Sequence, residues 1–240
     1  MQMIGLIGGM SWESSAEYYR IINEQVKKRL GGLHSAKCLL YSVDFAEIEY
    51  YQSEGDWEKA GEVLGEAAYS LEKAGADFIV ICTNTMHKVI SNIKEKVSIP
   101  ILHIADATAI EIKKHGIRSV GVLGTKYTME QDFYKSRIEQ NGIKIIVPNE
   151  ADRELINGII YNELCLGEIN QVSRDSYKEI INRLVQNGAE GIILGCTEIG
   201  LLVKQEDSQV PLFDTTFIHA VEAVNISLGR YLNAVQENKN

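Results

Sequence analysis

Proline, cysteine and positive charge are all scarce in this chain. Its 240 residues include three prolines, so no proline-rich spacer divides it. The four cysteines, Cys38, Cys82, Cys165 and Cys196, form no CxxC pair. That spacing excludes a disulfide framework and a zinc module. Lys and Arg number 24 against 33 Asp and Glu, a net charge of −9 without a basic run. Nucleic acid and anionic membrane surfaces are therefore poor partners. No apolar run approaches the ~18 residues that a bilayer span needs. The first apolar stretch, Met3–Ile7, has no basic flank and soon meets Glu13 and Glu17, unlike a signal peptide. The expectation is a reduced, cytoplasmic protein whose cysteines are free thiols.

What the chain does have is a globular composition, 45% apolar and 24% charged, and a length that buries a substantial core. Short apolar runs rich in β-branched residues alternate with longer amphipathic stretches. Strands are expected at Met3–Ile7, Lys37–Val43, Phe78–Ile81, Ile101–His103, Ser119–Leu123, Lys144–Val147, Gly191–Leu194 and Leu212–Phe213. Several are apolar on both faces, as central strands of a parallel sheet must be. Helices are expected at Ser14–Leu30, Trp57–Ala74, from Thr85, and at Asp106–His115, Met129–Asn141, Asp152–Cys165, Arg174–Asn187 and Thr215–Val235. Gly75, Gly116, Gly142 and Gly188 stand where left-handed helix caps belong. This alternation implies an α/β fold with right-handed crossovers.

An internal repeat sharpens that reading. The segment Leu71–Asn84 aligns without a gap on Leu184–Thr197, and Ile4-Gly-Leu-Ile-Gly matches Val120-Gly-Val-Leu-Gly. Ile99-Pro-Ile-Leu likewise matches Val210-Pro-Leu-Phe. The expected architecture is two pseudo-symmetric parallel-sheet α/β halves with the active site in the cleft between them. One half would comprise 1–103 plus 215–240, and the other 104–214. Open α/β sheets bind ligands at the carboxyl ends of their strands.

Each half ends a buried strand in a small polar cluster, Ile-Cys-Thr-Asn-Thr-Met-His from Ile81 and Gly-Cys-Thr-Glu from Gly195. The repeat pairs Thr83 with Cys196 and leaves Cys82 opposite Gly195. Alternation along the strand points Cys82 toward the core, an argument that a twist at the strand end would undo. A lone cysteine is more often a buried hydrophobe than a reagent, and Cys38 and Cys165 keep that bland reading. Cys196 differs because its turn precedes a helix, whose N–H groups are expected to lower the thiol pKa below ~8.5.

These clusters, with the opening Ile-Gly-Leu-Ile-Gly-Gly-Met-Ser-Trp, resemble the aspartate/glutamate racemase family and its aspartate-racemase branch in particular. The likeness spans essentially the whole chain. It implies a homodimeric isomerase that racemises an acidic amino acid, aspartate and/or glutamate, without cofactor. One thiol in each half would act, one removing the α-proton and the other returning a proton to the opposite face. Where that pattern carries Cys-Asn-Thr, this chain has Thr83-Asn84-Thr85. Thr83 and Cys196 are thus the expected catalytic pair, with an alcohol as the weaker member. Entry of Cys82 into the site is the rival arrangement.

Around the pair, Asn84, Thr85 and Thr197 offer donors for an α-carboxylate, or simple helix caps. Met10 follows the first strand. Gln52, read as lying in a loop after the second strand, is a candidate for a polar substrate group, although composition alone favours exposure. Glu198 is read as a thiol-tuning group or a first-turn helix acid, and His87 as structural. No histidine stands at metal-ligand spacing. Near the second-half helix end, where relatives carry a lysine, this chain reads Leu164-Cys165-Leu166, which leaves aspartate, glutamate or both as substrates. The alternatives are a single-thiol decarboxylase or isomerase of a small dicarboxylate, and a non-catalytic binder of acidic amino acids.

Overall fold

The computed structural model describes residues 1–229. These residues form two compact units. The first unit comprises Met1–Cys82, Lys88–His103 and the chain from His219. Its elements are β1 (Ile4–Gly8), α1 (Trp12–Leu30), β2 (Cys38–Ser42), α2 (Phe45–Ser53), α3 (Trp57–Lys73), β3 (Phe78–Ile81), α4 (Ile90–Lys96) and β4 (Ile101–Leu102). The strands make one parallel sheet in the order β2-β1-β3-β4.

The second unit comprises Thr83–His87 and Ile104–Ile218. It holds α5 (Ile104–Lys114), β5 (Ser119–Gly124), α6 (Lys126–Glu130), α7 (Asp132–Glu139), β6 (Lys144–Ile146), α8 (Glu150–Asn162), α9 (Gln171–Gln186), β7 (Gly191–Gly195), α10 (Ile199–Leu202) and β8 (Leu212–Asp214). Its sheet has the order β6-β5-β7-β8, also parallel throughout. The last helix, α11 (Thr215–Ser227), begins in this unit, and from His219 its residues belong to the first.

Central strands read as continuous apolar runs because helices cover both faces. All residues of β1, β3 and β7 are buried. Helix α9 lays Tyr177, Ile180, Ile181 and Leu184 on its core face, at spacings of three and four. Full burial of each such side chain contributes roughly 1.5–3 kcal/mol. Gly75, Gly116, Gly142 and Gly188 all take positive φ, as expected of left-handed caps.

The sheet register supports the repeat. Ile79 of β3 pairs with Gly5 and Ile101, and Ile192 of β7 pairs with Gly121 and Leu212. Ile79 and Ile192 are therefore counterparts, and four residues further on, so are Thr83 and Cys196.

Several local expectations need correction. The stretch expected as a helix over Met129–Asn141 is two helices, because Thr125 caps an earlier start and Gln131 is extended at ψ 151°. The expected helix Asp152–Cys165 starts at Glu150 on the Asn149 cap and stops at Asn162. Cys165 sits instead in a 3-10 turn, Leu164–Leu166, closed by left-handed Gly167. The acidic segment read as a loop after the second strand is α2, with Asp44 accepting from the Ala46 N–H as its cap. The final helix ends at Ser227, and Gly229 is left-handed behind it. The expected continuation over 230–235, like the assignment of 230–240 to the first half, lies outside the described residues.

Among the described residues, no helix is long and apolar enough to cross a membrane. None of them group as three or more metal-ligating side chains.

Candidate active site

Within the second unit, Cys196 follows the end of β7, where two backbones approach closely. A Cβ on Gly195 would lie 2.9 Å from the Leu123 carbonyl oxygen, so glycine is required there. Cys196 is partly exposed between buried Gly195 and Thr197. Thr83, its counterpart, is partly exposed between buried Cys82 and Asn84.

The Cys196 thiol donates to the Glu198 carboxylate at 3.0 Å. The Thr197 hydroxyl donates to the same oxygen at 2.6 Å. Glu198 is 3% exposed, so its charge acts on the thiol at low dielectric. Contrary to the sequence expectation, the Cys196 pKa is driven well up, first by burial and then by the Glu198 charge. The reason is local: α10 has four residues and begins only at Ile199, too short to offset desolvation. Cys196 at rest is a thiol with a carboxylate acceptor in hydrogen-bond contact.

Thr83 is positioned by its own backbone. His87 Nδ1 lies 2.9 Å from the Thr83 carbonyl, and His87 Nε2 is 3.2 Å from the Ile104 N–H. A carbonyl only accepts and an amide N–H only donates. The ring is therefore neutral with its proton on Nδ1, and His87 is structural, as read from the sequence. No side-chain base contacts the Thr83 hydroxyl among the described residues.

Asn84 and Thr85 turn into polar chains of this unit. Asn84 Nδ2 donates to Thr215 Oγ1 at 3.0 Å, and that hydroxyl donates to the Leu194 carbonyl at 2.8 Å. Asn84 Oδ1 is buried without a partner among the described residues. That leaves an acceptor oxygen, beside the second Nδ2 hydrogen that Thr215 does not use. Thr85 Oγ1 is 3.1 Å from Thr125 Oγ1, which also lies 3.3 Å from Thr128 Oγ1. Thr197 spends its hydroxyl proton on Glu198 and does not hold it free for a ligand.

The first unit carries the other candidates. Met10 is 4% exposed in the turn after β1. Gln52 lies in α2 and is 5% exposed, so neither the loop nor the surface reading holds. Cys82 is 1% exposed in the apolar core, its pKa driven up by burial. Its carbonyl accepts from the Ser14 hydroxyl at 3.0 Å. The alternation argument for Cys82 therefore describes its environment correctly. Cys38, at the start of β2, is half-buried.

Sequence reasoning missed Thr125, Thr128 and Thr215. Thr125 follows β5 and Thr215 follows β8, both at carboxyl strand ends. Applying the strand-end question to every strand, and not only to the repeated pair, finds Thr125 and Thr215.

The family model for Asp/Glu/Hydantoin racemase matches residues 7–223. A broad specificity amino-acid racemase of Bacillus subtilis is 24% identical, over 94% of this chain and 98% of its own length. A solved structure of a putative Asp/Glu racemase from Yersinia pestis is 58% identical with a TM-score of 0.89, covering 95% of this chain and all of that one. The structure of an aspartate racemase homologue from Pyrococcus horikoshii is 36% identical with a TM-score of 0.83, at the same coverage.

Proposed function

Because the chain belongs to the Asp/Glu/hydantoin racemase family, and racemases are isomerases, we propose that it interconverts the enantiomers of an acidic amino acid, aspartate or glutamate. The reaction proceeds without cofactor by two-base proton transfer, with Cys196 on one face of Cα and Thr83 on the other. The observation that carries this reading is the thiol of Cys196 in contact with the carboxylate of Glu198.

Glu198 accepts the thiol proton as substrate binds, and the resulting thiolate removes the α-proton. The Thr83 hydroxyl delivers a proton to the opposite face of the carbanion and is reprotonated from solvent, while Glu198 releases the proton it took from the thiol to solvent. The α-ammonium donates to Asn84 Oδ1, which satisfies an acceptor otherwise left buried and unpaired. Support for an amino-acid substrate comes from the relatives, described by their names as acting on aspartate, glutamate or a broad range.

Proton NMR in deuterium oxide tests the proposal. Loss of the α-proton signal from L-Asp or L-Glu is expected, with appearance of the D-enantiomer on chiral analysis. Cys196→Ala is expected to abolish both. Exchange of a neutral amino acid without exchange of either acidic one would overturn the substrate class. Binding of the acidic amino acids without exchange would leave a binder, not a racemase.

A further inference from the structure

Buried polar groups in native proteins are paired, so one left unpaired calls for a reason. Tyr177 is such a group. It is 0% exposed on α9, and its hydroxyl has no hydrogen-bond partner among the described residues. Phenylalanine would fill the same space without stranding a donor.

The packing of α9 places that hydroxyl. The helix returns to the start of β7 through left-handed Gly188, so it runs against the strands and its earlier residues lie toward their carboxyl ends. Leu184 sits against Gly121, where an added Cβ would come within 2.9 Å of Leu184 Cδ1. Gly121 in turn pairs with Ile192. From Leu184 back to Tyr177 is about 10 Å along a helix axis at ~1.5 Å per residue. From Ile192 to Gly195 is about the same distance along a strand at ~3.3 Å per residue. Tyr177 is therefore level with Gly195, and its side chain leans toward the helix N-terminus, in the direction of Cys196.

The electrostatics agree. Burial first, then the charges of Cys196, Glu163, Glu198 and Cys165, push the Tyr177 phenol well above its ordinary value. Cys196 and Glu198 stand in the turn after β7, and Glu163 and Cys165 in the turn after α8. Glu163 already accepts from the Ser173 hydroxyl at 2.6 Å, and Glu198 from Cys196 and Thr197. Tyr177 thus stays a hydroxyl with a proton to donate. Cys196 is the neighbour that the proposed reaction turns from neutral to charged.

We propose that Tyr177 is a positioning residue for Cys196: its hydroxyl, unpaired while the thiol is bonded to Glu198, donates to the sulfur once the thiolate forms. The inference rests on Cys196 being the reacting base. A donor stranded in the resting state weakens the fold, and the same donor meets the new charge without reorganisation of solvent.

Alkylation of Cys196 by iodoacetamide, followed by mass spectrometry of its peptide from neutral to alkaline pH, reads thiolate formation without any substrate. Tyr177→Phe is expected to hold ~10-fold less thiolate at a given pH, the effect of one hydrogen bond to the anion. Alkylation is expected to slow ~3-fold or more, because the more basic thiolate is also the better nucleophile. The Tm is expected to be no lower than wild type, since the change removes an unpaired buried group. With L-Asp or L-Glu, kcat is expected to fall ~10-fold with KM nearly unchanged. Tyr134→Phe, at an equally buried tyrosine on α7, is expected to alkylate as wild type does. Unchanged alkylation in Tyr177→Phe overturns the inference, and a lowered Tm beside it would make the hydroxyl structural. Alkylation slowed as much in Tyr134→Phe overturns it too. Tyr177→Met, which also lacks a donor, decides the matter if the phenylalanine variant fails to fold. A wild type that racemises neither acidic amino acid overturns the proposed function, and alkylation still decides this inference.

Discussion

The Sγ of Cys196 lies 3.0 Å from the carboxylate of Glu198, two residues along the same turn. A buried carboxylate beside a thiol raises the cost of thiolate while the site is empty, and it accepts the proton when the thiolate must form. In the proposed reaction Glu198 is the proton store for Cys196. Glu198→Gln keeps shape and hydrogen-bonding capacity but removes the base. Its kcat for α-proton removal is expected to fall ~10²–10⁴-fold, the range of general base catalysis, with KM changed little. Glu198→Asp is expected to recover part of the loss. A Gln variant with wild-type kcat would show that Cys196 ionises without this carboxylate.

Thr83 has no such neighbour among the described residues, so in the proposed two-base reaction the two faces differ in strength as bases. Turnover started by Cys196 is expected to have the larger kcat. The equilibrium constant between enantiomers is unity, so KM must differ by the same factor. Thr83→Ala is expected to keep solvent exchange of one enantiomer with retention, because Cys196 removes and returns the proton on one face. Racemisation is expected to be lost in that variant. Thr83→Cys is expected to bring the two kcat values together. Equal values in the wild-type enzyme, from initial rates with both enantiomers, would contradict the asymmetry.

The equivalence of Thr83 and Cys196 was legible in the sequence because the repeat fixes it. Gly75 and Gly188 lie the same distance before Thr83 and Cys196, and the strand registers place the two residues alike. The pKa direction at Cys196 was not legible, because burial comes from tertiary packing and one of the charges that adds to it, Cys165, is 31 residues away in sequence. Neither was the Asn84–Thr215 bond, whose partners are 131 residues apart. Helix α2 hid because Ile48 and Gln52 are its only buried residues and its exposed face is acidic.

Thiol burial also sets an alkaline limit on stability. Burial raises the pKa of both Cys82 and Cys196 in the folded chain. A raised folded pKa gives stability that is complete below the unfolded value and lost as pH rises beyond it. Above ~8.5 the unfolded chain releases thiol protons that the folded chain retains. Each group then costs up to ~1.4 kcal/mol per pH unit. Urea unfolding across the alkaline range is expected to show falling stability, with a shallower slope in Cys82→Ala. An unchanged slope in that variant would mean that Cys82 ionises as easily folded as unfolded.

Thr215 holds Asn84 in place while itself anchored on the Leu194 carbonyl. Thr215→Val preserves shape but removes both hydrogen bonds and leaves the Asn84 amide unheld. Breaking such a buried link costs about 1–3 kcal/mol of stability. Its effect on catalysis depends on what Asn84 Oδ1 does. If that oxygen receives the substrate ammonium, it binds ground state and transition state alike, and its loss raises KM with kcat nearly unchanged. A KM increase of ~10-fold is expected in Thr215→Val and more in Asn84→Ala, in line with one charge-assisted hydrogen bond. Steady-state kinetics at a temperature well below the unfolding transition separates this from instability. A fall in kcat at constant KM would instead place Asn84 at the carbanion, stabilising charge that develops during proton removal.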